Sequence, residues 1–184
     1  MTISSMERTP TNRITLRLQN DVLEILKREA DKKDLTLNAF INKVLNKNIT
    51  YEENVNAILN VVLPYDFFLL IVAKLNEDDM KELAQKGPGI VKKLFNILGM
   101  QYDIDHVIHN YFMVIGKYCK WFEFTCKVHS NRYRLVFSAD PSEKWAIFLQ
   151  YYIKSILESL KIIIANESQH DGVIVFEFLH KDRT

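Results

Sequence analysis

Arg13-Ile14-Thr15-Leu16-Arg17-Leu18 alternates polar and apolar residues without a break. In an extended strand successive side chains point to opposite faces. Ile14, Leu16 and Leu18 therefore share one face, and Arg13, Thr15 and Arg17 the other. Six residues cannot bury their own apolar face, so this strand needs partners. Two segments of helical period follow it, over residues 21–33 and 37–49. Gln19-Asn20-Asp21 offers side-chain acceptors for the first free amides of a helix. Val22, Leu23, Leu26 and Ala30 then recur on one face, widened by Ile25. The helix breaks near Asp34, and Thr36 is suited to cap a second helix with the stripe Leu37, Phe40, Ile41, Val44 and Leu45.

Strand, helix and helix in about forty residues make a unit too small to fold alone. A two-fold dimer in which strands of two chains pair antiparallel solves that problem. Such a ribbon fits the major groove, where base edges carry a full donor and acceptor code. Arg13, Thr15 and Arg17 would face the bases, and the helix start at Thr36, Leu37 and Asn38 would grip a backbone phosphate. The alternative is an amphipathic edge strand whose Arg and Thr side chains are merely solvated.

This segment resembles the ribbon-helix-helix (CopG/MetJ/Arc-type) DNA-binding domain. The resemblance runs through R-I-T-L-R-L, the Leu23/Leu26/Ala30 spacing, the turn Asp34-Leu35-Thr36, and Phe40-Ile41-x-x-Val44-Leu45. Many members carry glycine at the inter-helix turn where this chain has Asp34, a residue that tolerates left-handed backbone. The resemblance implies a transcriptional regulator that binds double-stranded DNA as a homodimer or higher even oligomer.

Composition is that of an ordinary globular chain, 48% apolar and 26% charged over 184 residues. Net charge is only +1, so no global field draws the molecule to nucleic acid. Residues 1–50 carry nine Lys/Arg against six Asp/Glu, and the remainder 15 against 17. Two cysteines, Cys119 and Cys126, are too few for a disulfide framework and suit a reducing compartment. The N-terminus has no signal-peptide pattern, and the apolar region 55–75 is interrupted by Asn56, Asn60, Pro64, Asp66 and Lys74. A cytoplasmic protein with no membrane partner is expected.

Residues 1–12 read as a loose arm, and 50–63 fit either helix or extended chain. Pro64 opens a helix apolar almost all round, which predicts deep burial. Asn76 caps a helix to Lys86, and Gly87-Pro88-Gly89 punctuates it before a further helix from Ile90 to Leu98. Another helix runs from Asp103 or Asp105 to Gly116. Phe122, Phe124, Cys126 and Val128 then alternate, as do Tyr133, Leu135 and Phe137, about a turn at Ser130-Asn131. That register places Trp121 on the outer face of the sheet. Asp140-Pro141-Ser142-Glu143 starts the clearest amphipathic helix, through Leu160. Ser168 to Gly172 reads as a loop and Val173 to Leu179 as a last strand.

The expected class is α+β: a ribbon-helix-helix domain over 1–50, then a regulatory or oligomerisation domain over 51–184. The latter is helical over 51–118 and ββαβ over 119–180, a small antiparallel sheet packed on helices. With one unrecognised strand it would approach a ferredoxin-like or ACT arrangement. Residues 60–180 also look similar to the C-terminal portions of uncharacterised archaeal ribbon-helix-helix regulators, through the Pro64 helix and the run from Glu143 to Leu149.

His106 and His109 share a helix face and are the candidate ligands of a metal-responsive regulator, with Cys119, Cys126, His129, His170 or His180 to complete the set. Cys126 and His129 point to opposite faces of one strand, and exposed helix histidines are the plainer reading. No cofactor is expected. The dense aromatic set fits core positions, leaving room for a small-molecule or protein effector between sheet and long helix. There is no Gly-rich phosphate loop, nucleophile elbow or paired-carboxylate setting, so no enzyme is expected. An antitoxin-type protein-interaction module is the remaining alternative.

Overall fold

The computed structural model describes residues 12–52, 63–139 and 142–180. The expected arm 1–12, the ambiguous stretch 50–63 and the Asp140-Pro141 cap lie wholly or partly outside them. The chain divides into two compact units, Met1–Asn46 and Lys47–Thr184.

The smaller unit holds α1 (Asn20–Asp31) and α2 (Leu37–Lys47). The expected strand at 13–18 is not formed: residues 12–19 lack regular structure in the single chain. A strand exists only through ladder bonds to a neighbour, and no described strand pairs with these residues. Gln19 lends no side-chain cap to α1; Asp21 Oδ1 instead accepts from the Val22 amide at 2.9 Å. Between the helices Asp34 adopts a left-handed φ of 52°, the geometry that glycine would otherwise supply. Ala30 and Phe40 are the only buried side chains of the two helices.

The larger unit is built on a four-stranded antiparallel sheet: β1 (Glu123–His129), β2 (Arg132–Ser138), β3 (Ile164–His170) and β4 (Val173–Leu179), in spatial order β1-β2-β4-β3. Across one row Cys126 faces Leu135, Leu135 faces Phe176, and Phe176 faces Glu167. Two hairpins joined by one helix, in the order β1-β2-β4-β3, is not the ferredoxin-like or ACT arrangement, which needs two βαβ crossovers. β3 was not expected: its last residues, Ser168 to His170, fall in the stretch read as loop, and Ile164 to Glu167 were assigned no element. Its inward positions include Glu167 and Gln169, so it shows no apolar alternation. It docks instead through polar bonds, Glu167 accepting from Gln150 at 2.6 Å and Lys154 at 2.7 Å.

Among the described residues this unit also holds a π-helical turn at Asn48–Glu52 and the helices α3 (Tyr65–Lys74), α4 (Glu77–Ile97), α5 and α6 (Glu143–Ser159). α5 begins at Ile104–His106 and widens into π-helical turns at Val107–Phe112 and Ile115–Cys119. It does not stop at Gly116; Lys120, at φ 58°, ends it. The α6 cap is Ser142, whose hydroxyl accepts from the Trp145 amide at 3.3 Å.

α4 runs unbroken through Gly87-Pro88-Gly89, against expectation. Packing overrides the local punctuation. A Cβ on Gly87 would lie 2.4 Å from Tyr152 Cε2, so glycine is what lets α4 and α6 approach. Pro88 has no N–H for the Ala84 carbonyl four residues back. Ser155 Oγ on α6 donates to that carbonyl at 2.8 Å and also lies 2.9 Å from the Tyr152 carbonyl.

Between the sheet and α6 the core is filled by Leu135, Phe137, Ile174, Phe176, Leu149, Ile153 and Ile156, all at 0% exposure. Trp121 precedes β1 and is not on an outer sheet face. Its ring packs on Trp145 and Tyr152, and its carbonyl accepts from Trp145 Nε1 at 3.0 Å. α3 is not deeply buried: Val72 alone is, and Phe68 packs edge-on to Trp145 while Leu70 is 64% exposed. Lys144 Nζ ties α6 to this helix by donating to the Ala73 and Leu75 carbonyls. Among the described residues, no helix is long and apolar enough to cross a membrane.

Candidate nucleic-acid interface

Arg13, Thr15 and Arg17 are exposed, as is every residue from 12 to 20. The apolar side chains between them are exposed too: Ile14 at 69%, Leu16 at 52% and Leu18 at 40%. The helices continue this surface, because Val22, Ile25, Val44 and Leu45 are also exposed. Among its described residues the smaller unit has two buried side chains and these seven exposed aliphatics, apolar area that association would take out of water.

Thr36 caps α2 as expected. Its hydroxyl accepts from the Ala39 amide at 3.2 Å, and its carbonyl opens the helix by accepting from the Phe40 amide at 2.9 Å. The first amides of a helix have no intrahelical acceptor, so Leu37 and Asn38 belong to an anion-attracting end. Asn38 is exposed, and its carbonyl accepts from Asn42 Nδ2 at 3.0 Å. Lys33 stands at the turn before this end, with its ammonium 5.2 Å from the Phe40 ring centre. It was not among the expected site residues, although the Lys32-Lys33 pair ahead of a cap is a visible signal. Both lysines bond Glu29, and those hydrogen bonds hold its carboxyl below the ordinary carboxylate range.

His106 and His109 are engaged locally. His106 Nδ1 lies 2.8 Å from Asp103 Oδ1, and His109 Nδ1 lies 2.8 Å from the Asp105 carbonyl. Among the described residues no group of three or more His, Cys, Asp or Glu side chains comes together to hold a metal ion. Two open depressions, about 340 and 250 Å3, lie along α6 and share Lys154 and Glu158. The first lies between α6 and the β3 edge of the sheet, the second between α4 and α6.

No family model matches the chain, and no curated protein does. A solved structure described as "Probing the function of heme distortion in the H-NOX family" aligns over 89% of this chain and 97% of its own, at 10% identity and a TM-score of 0.45. A likeness so remote assigns neither detailed fold nor function.

Proposed function

We propose that this chain is a homodimeric, sequence-specific DNA-binding transcriptional regulator of ribbon-helix-helix type. One observation carries the reading: Ile14, Leu16 and Leu18 stand exposed on alternate positions with Arg13, Thr15 and Arg17 between them. Extended, this segment would carry three aliphatics on one face and three hydrogen-bonding side chains on the other, which suits half of a ribbon. Pairing with a second copy covers the aliphatics against the helices and turns the polar face outward. Arg13 and Arg17 then suit guanine edges, and Thr15 a hydrogen bond or a thymine methyl. The capped start of α2 at Thr36, Leu37 and Asn38 holds a phosphate. The larger unit, in this reading, adjusts DNA affinity for a small-molecule or protein effector.

Selection of bound duplexes from a random pool by the full chain tests this directly. Arg17→Ala is expected to weaken binding of the selected duplex by about 1–3 kcal/mol and to relax preference at one base pair. Equal affinity and equal preference in that variant would remove the ribbon from the account.

A further inference from the structure

α2 does not stop where the smaller unit stops. The helix passes without a loop from Lys47 into a π-helical turn, Asn48–Glu52, that belongs to the larger unit. Within the turn Lys47 and Asn48 bond the Glu52 carboxylate at 2.8 and 3.3 Å. Its outer side chains are held by residues 68 positions further along the chain, at the end of α5. Thr50 Oγ1 and Tyr118 Oη are 3.0 Å apart. The Tyr51 and Tyr118 rings stack at 5.2 Å and 25°. Cys119 Sγ donates to Tyr51 Oη at 3.1 Å. The Cys119 bond pushes the Tyr51 phenol up to about 12, and burial raises the Cys119 thiol, so both stay protonated donors at neutral pH.

α2 is 11 residues long with one buried side chain, and helices that short are marginal on their own. The holding groups, in turn, sit on the π-widened part of α5, directly before the left-handed Lys120. π-Helical widenings are uncommon and recur at functional sites. One residue of helical register is a rotation of about 100°. Removing the widening would therefore swing Tyr118 and Cys119 away from Tyr51.

We propose that this Thr50–Tyr51 to Tyr118–Cys119 clamp is the point through which the larger unit sets DNA affinity. Closed, it holds the last turn of α2; opened by a change in α5, it lets that turn fray and weakens DNA binding. The clamp lies wholly within the larger unit, and what it transmits passes along the covalent helix. The proposal rests on the DNA-binding reading above.

The test compares the full-length wild type with Tyr118→Ala, Tyr118→Phe, Tyr51→Phe and Thr50→Val. Amide hydrogen exchange over 47–52 is measured without DNA, and affinity by fluorescence anisotropy on a duplex selected by the wild type. Tyr118→Ala is expected to speed exchange over 48–52 and to weaken binding within the roughly 5- to 150-fold range of site-to-site coupling. Tyr118→Phe keeps the ring stack and should fall between it and wild type. Unchanged exchange in Tyr118→Ala, or faster exchange with wild-type affinity, would overturn the clamp. If Tyr118→Ala does not fold, Tyr51→Phe, which deletes the contact with Cys119, and Thr50→Val, which deletes the contact with Tyr118, decide by the same two measurements. A wild type that enriches no duplex sinks the DNA reading and this proposal with it. That result is distinct from a clamp failure, because it leaves the exchange ranking intact.

Discussion

Gly87 and Gly89 flank one proline and look alike in the sequence, yet they face opposite demands. A Cβ on Gly87 would meet Tyr152 Cε2 at 2.4 Å, whereas one on Gly89 meets nothing within 4 Å. Tyr152 cannot easily retreat, since its ring is stacked on Phe148 and its hydroxyl is bonded to Tyr111. Gly87→Ala is therefore expected to cost about 1–3 kcal/mol, the usual range for overpacking. Gly89→Ala should add about 0.5–1 kcal/mol, because alanine loses less backbone freedom in a helix. Urea unfolding of both variants checks this, and equal midpoints would show that α4 does not rest on the Gly87 approach. The same pair explains why the helix break predicted at Gly87-Pro88-Gly89 is absent. Local punctuation is legible in a sequence; the tyrosine that needs the glycine, and the Ser155 hydroxyl that serves the Ala84 carbonyl, lie far along the chain.

At the scale of elements, amphipathic period is legible where apolar packing holds an element and silent where polar contacts do. β1, β2, β4 and α6 carry apolar alternation or a helical stripe, and all four stand close to where the pattern places them. β3 is held by Glu167 to Gln150 and Lys154, so it shows no strand pattern and its end, from Ser168, reads as loop. Its one clear signal is the turn that follows, Asp171-Gly172, where φ is 46° and 76°. Both values are positive, as a tight hairpin turn requires, and Asp-Gly is a strong mark of such a turn. α5 shows the electrostatic side of element formation. Its N-cap, Asp103, accepts from the His106 amide at 3.0 Å and from the His106 ring. Burial raises the Asp103 carboxyl, but the His106 backbone and side-chain bonds outweigh it and hold it below its ordinary 3.8. A depressed carboxyl contributes stability at pH above 3.8 and loses it as pH falls through the lower folded value. Asp103→Asn keeps the cap acceptor and removes the charge. Its stability deficit against wild type should shrink as pH falls below 3.8, staying under about 1 kcal/mol at this partly exposed site. A deficit that grew as pH fell below 3.8 would reverse the assignment.

For the molecule as a whole, the two units differ in how far one chain satisfies them. The larger unit has a continuous core reaching from α3 through α6 to every strand of its sheet. The smaller unit buries Ala30 and Phe40 and leaves Ile14, Leu16 and Leu18 in water. Its candidate site was legible because the signals are local: the alternation at 13–18 and the Thr36 cap. Residues 12–19 lack regular structure in the single chain, and in the proposed dimer the strand that pairs with them would belong to another copy. Leu16 is the middle aliphatic of the three, so an ionised side chain there would be carried into the paired face with no counter-charge. Burying such a group costs far more than one strand pairing returns. Wild type should sediment at twice the 21.6 kDa of one chain, and its melting temperature should rise with concentration as mass action requires. Leu16→Asp should sediment as one chain, melt independently of concentration and lose DNA binding, while Arg17→Ala stays dimeric and loses only affinity and preference. A Leu16→Asp protein that remains a dimer would place the pairing elsewhere. The exposed Phe67 and Leu70 of α3 would then be the next residues to charge.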